Sequence, residues 1–306
     1  MSNVKFNVFL DLSLSRVTSF APLKNYPNKH LLNFVNDFED GDWCHQDFQS
    51  YIWDNITQTA LSERERQSLT DQGYTSLYNA AKNLRLTDND KIGEGSEIAE
   101  IFLYGLMRHH FKALPVVPKI FYKQNTQDNA KGADSVHIVI DGDDFTLWFG
   151  EAKFYNSIAD ARLDQIVKSV YEALSTDKLK KENSIITNVR DLDLLQINST
   201  LKKKIKEALE PHHSIDRLKP KIHVPILLIH ECSITAAAKE LTAEYRQEII
   251  DFHRERAEAY FKKQLAKSKT IHKYNDITFH IILVPVPKKN AIVTAFTKQA
   301  KHFKGD

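Results

Sequence analysis

Apolar and polar residues alternate in several short stretches of the chain, a pattern typical of β-strands. The clearest stretches are residues 134–140 and 145–154, and residues 141–144 between them are rich in turn-forming types. Further strands are predicted at residues 5–14, 119–123, 224–230 and 277–284. Apolar residues spaced three or four apart predict helices at residues 47–59, 62–69, 75–84, 98–110, 157–175 and 235–266.

From residue 98 the predicted order is one helix, three strands, a helix, a strand, a helix and a final strand. This order predicts an α/β fold in which helices flank a mixed sheet. Residues 1–85 are mostly helical and acidic by prediction, and they contain Trp43, Tyr51 and Trp53. We therefore divide the chain into residues 1–85, which are either a partner-docking region or additional core, and residues 86–306, the main domain.

The composition narrows the class of protein. No apolar run approaches the roughly 20 residues that cross a membrane, and the first residues lack the basic and apolar regions of a signal peptide. Cys44 and Cys232 are too few for a disulfide framework or a cysteine-based zinc site. We expect a cytoplasmic protein with no membrane partner.

Charge is unevenly distributed, although the net charge is only +2. Residues 1–100 carry 9 basic and 15 acidic residues, a net of −6, whereas residues 262–306 carry 10 lysines and 2 aspartates, a net of +8. A basic segment suits a nucleic-acid backbone, and Lys262 and Lys263 are candidate phosphate contacts. The alternative is a solvated, lysine-rich surface.

The two strongest predicted strands bring together three charged residues. If residues 141–144 form a hairpin loop, Ile140 pairs with Phe145, and the same register places Asp134 opposite Glu151. Lys153 follows Glu151 by two residues and therefore points to the same face. Two opposed carboxylates repel each other unless a cation lies between them. A divalent metal such as Mg²⁺ prefers oxygen ligands, so Asp134 and Glu151 are candidate metal ligands and Lys153 a candidate catalytic residue.

A purely structural interpretation of these residues is also possible. Lys153 would then neutralise Glu151 at the end of a strand, and Asp134 would belong to a turn. A Glu-x-Lys pattern alone occurs by chance in many proteins. Together with a matched aspartate on an apolar strand, it favours a catalytic site.

The stretches Gly132-Ala133-Asp134 and Phe149-Gly150-Glu151-Ala152-Lys153 resemble the core motif of the PD-(D/E)xK nuclease superfamily. The resemblance implies a restriction-endonuclease-like core. Residues 93–97 (GEGSE) are similar to the Gly-x-x-x-Glu pattern from which a helix glutamate joins the metal site in several such nucleases. Glu97 is assigned that role, with Glu94 and Glu100 as open alternatives. Ala133 replaces the proline of the superfamily's name, a frequent departure.

A longer resemblance covers most of residues 90–285. Residues 97–104 (EIAEIFLY), Leu114-Pro115 and residues 147–153 (LWFGEAK) look like the HamA family, the nuclease subunits of Hachiman anti-phage defence systems. That family implies an endonuclease acting on DNA with Mg²⁺, or Mn²⁺ as a substitute, and a HamB-like helicase partner.

Nucleases of this type often place a polar residue on the helix after the second metal strand, so Gln165 and Lys168 are candidate DNA contacts. The alternative is that they only belong to a polar helix face. The alternative function is a catalytically silent module that holds nucleic acid or a helicase on the same fold.

Overall fold

The structure, a computed structural model, describes residues 6–85, 95–124, 133–188, 197–210, 212–268 and 270–305. Its strands are β1 (Asn7–Ser13), β2 (Lys29–Val35), β3 (Phe38–Glu39), β4 (Asp42–Trp43), β5 (Leu114–Val117), β6 (Ser135–Asp141), β7 (Asp144–Tyr155), β8 (Ile222–Glu231) and β9 (Thr278–Val286). Its α-helices are α1 (His45–Ala60), α2 (Glu63–Ser68), α3 (Gly73–Lys82), α4 (Ser96–His109), α5 (Lys119–Gln124), α6 (Asp160–Ala173), α7 (Thr176–Asn188), α8 (Ser199–Ala208), α9 (Ser233–Ala237), α10 (Ala243–Ser268) and α11 (Lys289–Lys304).

Seven strands form one mixed sheet in the order β1-β2-β9-β8-β7-β6-β5. The central strands β2, β9, β8 and β7 are parallel to one another, whereas β1 pairs with β2, β6 with β7 and β5 with β6 in the antiparallel direction. Strands β8 and β9 are mostly apolar, as expected for strands buried on both faces. The α/β fold with a mixed sheet flanked by helices is confirmed.

Alternate residues of the central strands divide the core into two layers. On one face, Leu147 and Phe149 of β7 pack with apolar residues of α6, α7, α8 and α10. On the other face, Trp148, Ala152 and Phe154 pack with α1, α4 and α11. Helix α4 is buried from Ile98 to Met107 because it lies between β7 and α1. The carboxyl end of β7 therefore has helices on both sides.

The N-terminal residues contribute strands to this sheet as well as helices. β2 pairs in parallel with β9, and β1 pairs with β2 at the edge of the sheet. The side chains of Trp43, Tyr51 and Trp53 are buried in the core layer that contains α4. The division that we placed after residue 85 thus falls between segments that share one sheet.

Three local predictions were wrong. Residues 119–123 are not a strand but part of α5, and the neighbouring strand is β5. A short apolar run has no periodicity that distinguishes a strand from a helix. Here the run forms a helix that buries Ile120 in the core. The helix predicted at residues 235–266 is two helices, α9 and α10, with non-helical backbone between Ala237 and Ala243.

The third difference concerns the turn between β6 and β7. Asp141 pairs with Asp144, so the loop has two residues rather than the four that we predicted. Gly142 has φ +57°, a conformation in the left-handed region that a first central residue of a tight hairpin turn requires. The shorter loop leaves the predicted register unchanged, because both loops are symmetric about the same point.

Candidate active site

The β6–β7 hairpin places Asp134 beside Glu151. Ser135 pairs with Gly150 and Ile140 with Phe145, which is the predicted register. The Asp134 N–H donates a hydrogen bond of 2.7 Å to Gly150 O, so the pairing continues one residue beyond the start of β6. Alternation along β7 then points Glu151 and Lys153 to the face that carries Leu147 and Phe149.

Asp134, Glu151 and Lys153 are in direct contact. Lys153 Nζ lies 2.7 Å from Glu151 Oε1 and 3.1 Å from Asp134 Oδ2, and so bridges the two carboxylates. The Ala152 N–H donates a second hydrogen bond of 3.0 Å to Asp134 Oδ2. The Asp134 and Glu151 side chains keep only 15% and 10% of their surface exposed, whereas Lys153 keeps 30%. The lysine is therefore the member of the group that solvent reaches most easily.

Burial and mutual repulsion shape the electrostatics of this group. Burial, followed by the charge of Asp134, raises the pKa of Glu151, and Lys153 opposes that rise. Burial alone would lower the pKa of Lys153, but the charges of Asp134 and Glu151 outweigh it and raise that pKa. The three side chains together carry one negative charge when all are ionised. The group therefore attracts a cation and repels an anion.

Helix α6 supplies a further contact to Glu151. Ser169 Oγ donates a hydrogen bond of 2.7 Å to Glu151 Oε1, the oxygen that also contacts Lys153. Leu163, Ile166, Val167 and Val170 anchor α6 on the sheet, which leaves Ser169 at the edge of the helix near the site. Glu151 Oε1 is thus fixed from two sides. Among the described residues, no hydrogen bond engages Glu151 Oε2.

A buried ion pair holds the start of β6. Glu182 on α7 lies 2.9 Å from Lys119 Nζ on α5, with the two side chains 5% and 3% exposed. The other oxygen of Glu182 accepts a 2.8 Å hydrogen bond from the Ala133 N–H. Because Ala133 precedes Asp134, this carboxylate fixes the backbone that carries the first candidate metal ligand.

The candidate helix glutamates lie in α4 or before it. Glu97 Oε1 accepts a 2.7 Å hydrogen bond from the Arg85 N–H, and Glu100 is buried with 8% of its surface exposed. Glu94 lies outside the described residues. The apolar residues of α4 pack on the face of β7 opposite to that of Glu151. A glutamate of α4 would reach the carboxylate pair around the end of β7, and this role of Glu97 stays a prediction.

The four candidate DNA-binding residues lie on α6 and α10, which pack side by side. Gln165 is exposed and accepts a hydrogen bond from Arg162, and Lys168 is exposed near Glu172. Lys263 Nζ lies 2.9 Å from Asp164 Oδ1, and Lys262 Nζ lies 4.4 Å from the ring centroid of Phe20. Their contact with DNA stays a prediction.

The donor set fits a hard divalent cation. Asp134 and Glu151 offer carboxylate oxygens, the ligand type that Mg²⁺ and Mn²⁺ take in proteins. A bound cation would relieve the repulsion that raises the pKa of Glu151. Asp134 and Glu151 are therefore the residues that would hold the metal, with waters and substrate oxygens completing its coordination.

A second group of possible ligands lies elsewhere. The ligand atoms of Glu210, His212 and His213, after α8, all lie within 4.8 Å of one another. The side chains of Glu210 and His212 are 46% and 70% exposed, and Glu210 Oε2 lies 3.2 Å from His212 Nε2. This group contains neither a pair of buried acids nor a lysine, so we assign the candidate active site to the β6–β7 hairpin.

Two contributors to the site were missing from the sequence predictions, Ser169 and Glu182. Ser169 follows Gln165 by four residues, so helical spacing places both on one side of α6. That spacing was the available signal for Ser169. Glu182 lies in α7, a helix that we did not predict, and nothing in its local sequence marks it as a partner of residue 133.

Comparison with protein families assigns the chain to a family. The sequence model of the HamA family matches residues 7–300 of the 306. No curated protein matches the chain. Within the described part of the chain, every helix is too short or too polar to cross a membrane. The match spans nearly the whole chain, including β1, the hairpin and α11, so this chain belongs to the HamA family, a component of Hachiman anti-phage defence.

Proposed function

We propose that this chain is a Mg²⁺-dependent deoxyribonuclease, an endonuclease that hydrolyses phosphodiester bonds in DNA. The observation that carries the proposal is the direct contact of Lys153 Nζ with both Asp134 and Glu151 at the end of an otherwise apolar hairpin face. Burying two acids beside one lysine contributes little to stability, because the cost of desolvation offsets the attraction between the lysine and the acids. A catalytic use accounts for their position.

Each residue has a distinct task in this proposal. Asp134 and Glu151 hold the cation, which when bound activates water and neutralises charge on the phosphate. Lys153 donates hydrogen bonds from its ammonium group to the attacking water or to a phosphate oxygen, where negative charge develops. Because both acids raise the pKa of Lys153, the ammonium stays charged at neutral pH and acts as a donor rather than a base.

Plasmid cleavage tests the proposal directly. The wild-type chain should convert supercoiled plasmid to nicked or linear forms with Mg²⁺ and not with EDTA. Glu151→Ala and Lys153→Ala should each abolish cleavage, whereas Glu207→Ala, at an exposed ion pair with Lys203, should cut normally. Cleavage that survives both site substitutions would contradict the proposal. DNA binding by a wild-type chain that never cuts would favour the silent binding module.

We also propose a helicase as the partner of the nuclease. The chain contains no Gly-x-x-x-x-Gly-Lys-Ser/Thr phosphate loop, so it has no evident means of using ATP. It also has no helix-turn-helix or zinc-finger pattern for base recognition, so an unrestrained nuclease would endanger host DNA. A helicase subunit would restrain the site until a suitable DNA is engaged. The exposed surface of residues 1–85 is the candidate docking region, although Trp43, Tyr51 and Trp53 are themselves buried in the core.

Co-purification tests this partnership. A tagged chain co-expressed with a HamB-like helicase should retain that helicase through gel filtration. The complex should cut plasmid more slowly than the isolated chain until a DNA substrate suited to the helicase is supplied. The restraint model is wrong if the two chains elute separately or if the complex is never slower.

A further inference from the structure

Arg162 and Tyr155 form an arginine–aromatic pair beside the candidate site. The Arg162 Cζ atom lies 5.4 Å from the ring centroid of Tyr155, within the range of a cation–π contact. Arg162 is exposed, and its Nη1 donates a 3.3 Å hydrogen bond to Gln165 Oε1. No other side-chain hydrogen bond of this guanidinium occurs among the described residues. Most of its five N–H donors therefore point to solvent.

Two contacts fix how α6 runs along β7. At one end Ser169 bonds to Glu151, and at the other Arg162 lies over Tyr155. Arg162 and Ser169 are seven residues apart, close to two helical turns, so they lie on one side of α6 about 10 Å apart along its axis. Tyr155 follows Glu151 by four residues, roughly 13 Å along the strand. The two distances are similar, and Lys153 lies between the two contacts along β7.

The guanidinium is suited to a phosphate at this position. Its planar donors match two phosphate oxygens at once, and the ring of Tyr155 limits the orientations that it adopts. A separation of roughly 10 Å is several times the axial rise of about 3.4 Å per nucleotide, so Arg162 would contact a phosphate other than the scissile one. We propose that Arg162, held by Tyr155, binds a DNA backbone phosphate that flanks the scissile one. This inference rests on the proposed function.

Binding measurements on a variant that cannot cut test the inference. In a Glu151→Gln background, Arg162→Gln should weaken binding of a fluorescent duplex several-fold and lower the slope of log affinity against log salt by about 0.9. Arg162→Lys should keep the slope but lose part of the affinity, because an ammonium lacks the planar donor pair. Tyr155→Leu should weaken binding without changing the slope.

Arg246 provides a matched control. Its Cζ lies 5.0 Å from the ring centroid of Phe9, its Nη2 bonds to Phe9 O, and it is exposed like Arg162. Phe9 lies on β1, four strands from β7 in the sheet and therefore roughly 19 Å away. Arg246→Gln removes the same charge from the same kind of pair and should leave affinity and slope unchanged.

The outcomes separate the inference from the proposed function, since cleavage is measured independently on the wild-type chain. Equal affinity and slope for Arg162→Gln and Arg246→Gln would overturn the phosphate contact, even if the wild type cuts DNA. Arg162-dependent binding by a wild-type chain that cuts nothing would support the contact and refute the nuclease. If Arg162→Gln lost as much free energy of unfolding as free energy of DNA binding, the pair would only anchor α6. That result would also overturn the inference.

Discussion

Ser169 Oγ lies 2.7 Å from Glu151 Oε1 and joins helix α6 to strand β7 at the candidate metal site. The hydroxyl is the donor, so it favours the ionised form of Glu151, while burial favours the neutral form. Helix and strand meet at this bond, and the position of the carboxylate depends on both. Ser169 is therefore a positioning residue for Glu151.

Ser169→Ala should raise the Mg²⁺ concentration that gives half-maximal cleavage by about 10-fold, the lower end of the range for partners of metal ligands. The maximal rate at saturating Mg²⁺ should change less. A titration of cleavage rate against Mg²⁺ measures both values. Ser157→Ala, at an exposed position before α6, is the control and should titrate like the wild type. An unchanged Mg²⁺ midpoint in Ser169→Ala would remove Ser169 from the site.

The buried pair of Glu182 and Lys119 should matter for stability. Glu182→Ala leaves Lys119 buried without its partner and removes the acceptor of the Ala133 N–H, so we expect a loss of about 3–5 kcal/mol in the free energy of unfolding. Urea denaturation measures this loss. Glu207→Ala breaks an exposed pair of 3.7 Å with Lys203 and should cost less than about 1 kcal/mol. Similar losses for the two variants would contradict this assignment.

Gly150 should tolerate no side chain. A Cβ at this position would meet Ser135 Oγ and lie 2.7 Å from Leu103 Cδ2, between β6 and α4. Gly150→Ala should therefore lower stability by about 1–3 kcal/mol and disturb Glu151, the next residue. Gly73→Ala is the matched control, because a Cβ added there would meet nothing within 4 Å and α3 should gain stability from alanine. A melting temperature of Gly150→Ala equal to that of the wild type would refute the close approach.

Stability should fall in mild acid because several histidines are buried in the neutral form. Burial lowers the pKa of His137 to about 3 and the pKa values of His223 and His230 to about 4. In the unfolded chain a histidine has a pKa near 6.5, so the unfolded state binds protons first as the pH drops. Their contribution is complete above about pH 6.5 and is lost progressively as the pH falls toward 4.

The melting temperature should accordingly decrease between pH 7.5 and pH 5. His230 is the best position for a variant, because its Nε2 lies 3.0 Å from His253 Nε2 in a fully buried pair. A His230→Gln variant should be less stable at pH 7.5 but show a shallower decrease, since one buried group no longer titrates. A melting temperature that stays constant over this range would show that the histidines do not control acid stability.

The sequence alone predicts the β6–β7 hairpin but not the contacts that surround it. Alternation along residues 134–154 and a central turn determine which side chains oppose each other. The proximity of Asp134, Glu151 and Lys153 could therefore be predicted from the sequence. The Ser-x-x-Glu pattern of residues 62–65 is equally local, and it forms a capping box at the start of α2. Both features depend on residues near each other in the chain.

Contacts between distant segments of the chain were not predicted from the sequence. Strand β2 has a buried lysine and a buried asparagine, Lys29 and Asn33, so its pattern does not resemble a central strand. Its place is determined by β9, which follows about 250 residues later in the chain. The same limit applies to Ser169 and Glu182, whose partners lie on other elements.

Single-turnover cleavage of a labelled duplex by the wild type and by Lys153→Met tests the central claim most directly. Methionine keeps the length of the side chain but removes the ammonium group that bridges Asp134 and Glu151. At saturating Mg²⁺ and enzyme, we predict that the rate falls at least about 100-fold, since a lost charged donor to a transition state costs on that order. DNA affinity and melting temperature should stay close to those of the wild type. A Lys153→Met chain that cuts at the wild-type rate would contradict the account.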